Sequence, residues 1–172
     1  NMKAHSFIYL IIYSCFIMSV SLQAQEHFAD RYNVSYITMD DGLPHNFIDD
    51  IYKDTRGFLW ISTAGGGLSR YDGYEFIHFN PNTPHSKLKS NFIHNVYEDR
   101  FHRLWIVSEG GTDIIDLSTL QSVIPNDPKG LLPRFINHPT YIVILDSQGC
   151  IWLQCDNALH RITFDAEGGI DT

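Results

Sequence analysis

The side chains best equipped for chemistry in this chain of 172 residues are nine histidines and two acidic pairs, Asp40-Asp41 and Asp49-Asp50. No two histidines stand at His-x-x-x-His spacing and no Cys-x-x-Cys occurs, so a metal site with its ligands on one face is not expected. Paired carboxylates are the tools of glycoside hydrolysis, but adjacent residues diverge, whereas the two acids must flank one bond. Gly65-Gly66-Gly67 lacks the Lys-Ser/Thr of a phosphate loop and leads into a strand, and there is no Gly-x-Ser-x-Gly elbow. Neither catalysis nor a cofactor is therefore expected. Contacts to a ligand should come from loops, at residues 41–46 and 84–94. There His45, Asn46, Asn91 and His94 offer hydrogen bonds to hydroxyl groups. Asn46 and Asn91 recur at one register, so capping a turn explains them equally well. His45, His94 and His102 fall in or near loops, where an unpaired histidine is ordinarily solvated.

The elements that must carry these loops announce themselves by repetition. Asp54-Thr55-Arg56-Gly57-Phe58-Leu59-Trp60 returns as Asp99-Arg100-Phe101-His102-Arg103-Leu104-Trp105 and again as Asp146-Ser147-Gln148-Gly149-Cys150-Ile151-Trp152. The three tryptophans are spaced by 45 and 47 residues. A period in the mid-forties built from short strands predicts an all-β chain of β-propeller blades, each of four antiparallel strands. About three units are expected, near 43–87, 88–134 and 135–172. Three are fewer than the roughly four to eight blades of a closed ring, so an incomplete propeller is expected.

In the first unit the strands should run near 47–53, 58–63, 68–71 and 74–79. Turns fall between them at Asp54-Thr55-Arg56-Gly57, Gly65-Gly66-Gly67 and Asp72-Gly73. Phe58 and Trp60 alternate with Leu59 and Ile61, so the second strand is apolar on both faces, as a blade between two neighbours requires. The repeated Asp54, Asp99 and Asp146 should accept backbone N–H groups in their turns, and Gly57 and Gly149 should close two of them. Trp60, Trp105 and Trp152 should pack between blades with each indole N–H finding a partner. A residue needed in every blade is structural before it is catalytic. His102 in place of glycine weakens the turn expected at that point.

Leu43, Asn46, Ile48, Ile51, Asp54, Gly57, Leu59, Trp60, Ile61, Thr63, Gly67, Leu68, Arg70, Tyr71, Asp72 and Gly73 together resemble the two-component regulator propeller repeat. The resemblance runs over about residues 36–164. It implies the periplasmic sensor of a hybrid two-component system, of the kind found in Bacteroidetes that degrade glycans. It further implies a linked histidine kinase and other C-terminal receptor domains, with the whole receptor anchored in the inner membrane. An oligosaccharide ligand that regulates the kinase follows from the same resemblance. An enzyme built on the scaffold, as in streptogramin-lyase propellers, is the rival by analogy alone; a fragment serving only structure or oligomerisation is the other.

Lys3, the apolar run Phe7 to Val20 and Ala24 read as a secretory signal peptide over residues 1–24, which implies export. Residues 36–43 look like the last strand of a blade, and the chain is expected to be an N-terminal piece of a longer sensor. Unpaired blade edges should drive self-association, with a homodimer as the expected product. The formal net charge of −8 argues against nucleic-acid partners and disfavours polyanionic sugars unless a local basic patch overrides it. Cys150 and Cys155, five residues apart on one strand, are placed wrongly for a disulfide and should be buried thiols.

Overall fold

The computed structural model describes Tyr13 and residues 34–84 and 87–171. The chain divides into Asn1–Tyr36 and Ile37–Thr172, and the blades all lie in the second unit. The expected leader falls outside the described residues apart from Tyr13.

Among the described residues, ten strands form three antiparallel sheets. β1 (Ile48–Lys53), β2 (Leu59–Thr63), β3 (Gly67–Tyr71) and β4 (Phe76–Phe79) pair in chain order, close to the boundaries expected from the sequence. β5 (Ile93–Glu98), β6 (Arg103–Ser108) and β7 (Gly111–Asp116) make the second sheet, and β8 (Thr140–Leu145), β9 (Ile151–Cys155) and β10 (Ala158–Ile162) the third. The first strands of successive sheets lie side by side, β1 against β5 and β5 against β8, so the sheets stack as blades around their inner strands.

Four strands per unit holds only for the first. In the second and third, the fourth strand shrinks to an isolated bridge, Ile115 with Ser122 and Phe164 with Ile170. Pro125 and Pro128 follow Ser122 and bring no N–H to a ladder. The chain instead turns into a short helix, α1 (Leu132–Ile136), which the strand pattern did not announce and which buries Leu132 and Phe135. Residues 36–43 are likewise not a strand. Thr38 caps the 3-10 turn Met39–Asp41 through Asp40 N, while the Asp41 carboxylate takes Thr38 N at 2.8 Å.

The core lies between blades. Trp60, Leu68 and Phe79 of the first meet Ile93, Val96, Leu104, Ile106 and Ile115 of the second. Trp105, Val107 and Ile114 meet Val143, Ile151, Leu153 and Ile162 of the third, with Phe135 of α1. Every residue of β6 is buried, as the middle sheet of a stack must be. Each large aliphatic sealed this way contributes about 1.5–3 kcal/mol relative to exposure. Cys150 and Cys155 are free and buried, and burial pushes the Cys155 thiol up from its ordinary value.

The repeated Asp and Trp form one device in all three blades. In the first, Asp54 Oδ1 accepts Arg56 N and Phe58 N at 3.0 and 2.9 Å, while Oδ2 accepts the Trp60 indole N–H at 2.8 Å. Asp99 does the same for Phe101 N, Arg103 N and Trp105, and Asp146 for Gln148 N, Cys150 N and Trp152. The second turn is intact although glycine is missing from its fourth position. His102 takes φ 58° there, where Gly57 and Gly149 have 95° and 78°, and His102 N still donates to Asp99 O at 3.1 Å.

Candidate functional site

An antiparallel blade puts the approach to its first strand and its β2–β3 turn at the same end, so these loops share one face of the stack. In the first blade that turn is Ala64-Gly65-Gly66, and its glycines are obligatory. A Cβ on Gly67 would stand 2.5 Å from Phe79 O, and one on Gly66 would stand 2.3 Å from Thr63 Oγ1. The tight turn lets the second blade's lead-in close over it. Gly67 N donates to Asn91 O at 3.0 Å, and the Phe92 ring lies against the Cβ side of Gly65.

All four residues read from the sequence as ligand contacts lie on this face. His45 and Asn46 are exposed on the lead-in to β1. His45 Nδ1 accepts Phe47 N at 3.0 Å, so the histidine and not Asn46 closes this turn. Ser90 does the same in the second blade, its Oγ accepting Phe92 N at 3.0 Å, which leaves Asn91 without a capping duty. His94 is not in a loop: it is the second residue of β5, half-buried, with its ring tilted against Tyr141 at 5.1 Å between centroids.

Asn91 and His94 share a property that residue type alone did not reveal. Asn91 Oδ1 and His94 Nε2 are both buried without a hydrogen-bond partner, as are Ser62 Oγ and Thr63 Oγ1 at the end of β2. A buried polar atom left unpaired costs about 1–3 kcal/mol, so these side chains gain by turning toward an incoming donor or acceptor. Aromatic rings flank them. Phe92 is 52% exposed and Tyr141 49%, and Phe47, one repeat before Phe92, is 63% exposed. Exposed rings beside hydroxyl-bonding side chains can stack on the apolar face of a ring-shaped polar ligand while the polar groups fix its orientation. Asn91 and Phe92 lie over the glycine turn of the first blade, His94 pairs with Tyr141 toward the third, and His45 and Asn46 lie on the first blade's lead-in. The sequence reading missed Tyr141, Ser62 and Thr63. Tyr141 sits in an apolar run, Tyr141-Ile142-Val143-Ile144, that reads as core.

The inner strands beneath the face are tied together by side chains. Asp50 Oδ2 accepts Asn95 Nδ2 and Val96 N at 2.8 and 3.1 Å, and Asn95 Oδ1 in turn accepts Val143 N at 3.0 Å. Each blade thus reaches from its first strand into the next, and Thr112 and Thr140 hydroxyls bond across the second gap at 3.0 Å. Asp50, one of the acids that suggested hydrolysis, is engaged in this strut. Among the described residues, no group of three His, Cys, Asp or Glu side chains is arranged to hold a metal ion.

On the opposite face the β1–β2 turns dock onto the following blade. Thr55 donates from N and Oγ1 to the buried Glu98 carboxylate at 2.7 and 2.6 Å, and Arg56 Nη1 donates to Leu117 O at 2.6 Å. His102 Nδ1 also meets Glu98, at 2.8 Å. Burial pushes the Glu98 carboxyl up, but the hydrogen bonds from Thr55 and His102 prevail and hold it below the ordinary carboxylate value.

Comparison with known proteins agrees with this architecture. The two component regulator propeller family matches residues 42–65 and 87–110, which span the lead-in, first strand, Asp–Trp turn and second strand of the first two blades. No curated protein matches the chain. Among solved structures, the extracellular domain assigned to the hybrid two component system BT3049 of B. thetaiotaomicron aligns with TM-score 0.61 and 21% identity over 79% of this chain. The extracellular domain of BT4673 from the same organism, assigned as a one component system, aligns with TM-score 0.58 and 24% identity over 77%. These likenesses are of fold. The chain spans 19% of the length of each of those structures. No helix among the described residues is long and apolar enough to cross a membrane. With the same Asp–Trp clasp folded in three successive blades, residues 42–65 and 87–110 carry the two component regulator propeller repeat.

Proposed function

We propose that this chain is part of the periplasmic sensor of a hybrid two-component receptor. In this reading the face that carries Asn91, Phe92, His94 and Tyr141 receives an oligosaccharide. The carrying observation is the pair of buried, unpaired atoms, Asn91 Oδ1 and His94 Nε2, set beside half-exposed rings. A ligand that binds one arrangement of the blades better than another would bias a linked histidine kinase by that difference in affinity. The site calls for binding without turnover. The test is calorimetric titration of neutral oligosaccharides against the chain and its Asn91→Ala and Tyr141→Ala variants. Saturable heat without product, weakened about tenfold by either substitution, is the expected result. Binding that neither substitution changes, or bond cleavage, overturns the reading.

A second reading concerns partners. Ile48 and Ile51 on β1 are 41% and 58% exposed, whereas Ile93 and Val96, their counterparts in the second blade, are each 1% exposed against the first blade. We propose that this face takes a blade of a second copy, giving a homodimer. Supporting it is the like-for-like burial of the same positions one repeat later.

A further inference from the structure

A coupled departure from the repeat marks the face opposite the proposed sugar site. Glu98 stands where the other repeats have Lys53 and Leu145, and His102 where they have Gly57 and Gly149. A feature every blade needs would recur; this one occurs once. It also carries a strained backbone, since a side chain at φ 58° costs about 1–2 kcal/mol against glycine. The strain places the imidazole with Nδ1 on the buried Glu98 carboxylate at 2.8 Å while two-thirds of the side chain stays in solvent. Beside it opens a cavity of about 240 Å³ lined by Arg56, His102, Leu117 and Ser118. Arg56 spends Nη1 on Leu117 O, which leaves its other N–H groups for this cavity.

We propose that this inter-blade pocket binds an oxyanion group of the sulfate or carboxylate type, held by His102 Nε2–H and the guanidinium of Arg56. Arg56 and His102 bring basic groups beside the apolar Leu117, which selects an acceptor-only ligand. The nearest acids are already spent. Glu98 takes Thr55 and His102, and Asp116 takes the N–H and hydroxyl groups of both Ser118 and Thr119. Tyr52 faces Glu98 from β1 as a phenol, its acidity lowered by burial. With Nδ1 engaged by Glu98, the second ring nitrogen of His102 is the one offered to the pocket. This local pair of basic side chains is the kind of patch that a net charge of −8 conceals.

The experiment is a titration of the chain with inorganic sulfate, read by calorimetry and by the NMR shifts of the histidine imidazoles. The His102→Gly variant is the control. Glycine occupies this position in the other two turns, so the variant keeps the fold, checked by its tryptophan fluorescence. The expected result is a saturable shift of the His102 resonances with a matching saturable heat, and loss of that heat in His102→Gly. A sulfated monosaccharide run in parallel separates the sources: tighter binding than sulfate means a sugar carries the group, and equal binding means the free ion is the ligand. No saturable shift, or a heat of binding that survives His102→Gly, overturns the proposal. The result is independent of the oligosaccharide reading, because Asn91→Ala, on the other face, should leave it unchanged.

Discussion

Asp54, Asp99 and Asp146 each divide their two oxygens between local and long-range work, and this division sets their energetic weight. One oxygen closes the turn by taking two backbone N–H groups; the other pins an indole that lies between blades. Replacing Asp54 by Ala strands three donors, one of them on the fully buried Trp60, and should cost on the order of 3 kcal/mol in denaturant unfolding. Asp54→Asn is the sharper test. It keeps Oδ1 as an acceptor but can set an amide N–H against the indole N–H, so it should cost about 1–3 kcal/mol although the shape is kept. Asp146→Ala should cost less than Asp54→Ala, since Trp152 is only half-buried. Equal losses at the two positions would mean that the clasp acts only within its turn. The sequence shows that the Asp caps a turn and that the indole needs a partner. It does not show that these are one interaction, because Asp54 and Trp60 meet only across a hairpin in which Tyr52 stands opposite Trp60.

At the level of elements, the β1–β2 turns both shape a blade and dock it to the next. The sequence reading placed these turns correctly and erred where His102 replaces glycine. Backbone propensity disfavours that residue, but the bonds that Asp99 makes and the anchor on Glu98 hold the left-handed conformation anyway. Glu98 makes the docking sensitive to acid. Its carboxyl is held below the ordinary value in the folded state, so the folded protein binds that proton less readily than the unfolded chain. The resulting stability is fully present above the unfolded carboxyl value of about 4.3 and is lost as pH falls through the lower folded value. Asp116 is shifted the same way, chiefly by the Ser118 hydroxyl, and adds to the loss. Thermal unfolding of the wild type should therefore weaken steeply below about pH 4. Glu98→Gln should be less stable at neutral pH and should lose less on acidification. An acid limb identical in the two proteins would remove Glu98 from the account. The fourth strand of the second blade could not be read equally well, because a two-residue bridge followed by Pro125 leaves no alternating pattern to detect.

For the molecule as a whole, the period of 45 to 47 residues told that blades stack, since no sheet of this size seals both its faces alone. Which faces stay open was not legible, because Ile48 and Ile93 are the same residue in the same register and differ only in having a neighbour. The candidate site was legible to the same degree: His94 could be named as a hydrogen-bonding group, while its unpaired nitrogen depends on Tyr141, nearly fifty residues away. The open face carries the last prediction. Ile93 and Val96 are sealed by the Trp60 side of the first blade, so a second copy that offers an equivalent blade should seal Ile48 and Ile51. Each would then regain about 1.5–3 kcal/mol of burial, within reach of the cost of holding two chains together when the surrounding face contributes as well. Ile48→Asp combined with Ile51→Asp places two charges where burial would have to strip them of water, without disturbing the sealed core on the blade's other side. Light scattering over a range of concentrations should find a dimer for the parent chain and a monomer for the double variant, with thermal unfolding of the isolated blades little changed. A dimer that persists in the variant would place the contact elsewhere, on the β4 edge or the third blade. A parent chain that stays monomeric at every concentration would mean that this face is not a self-recognition surface.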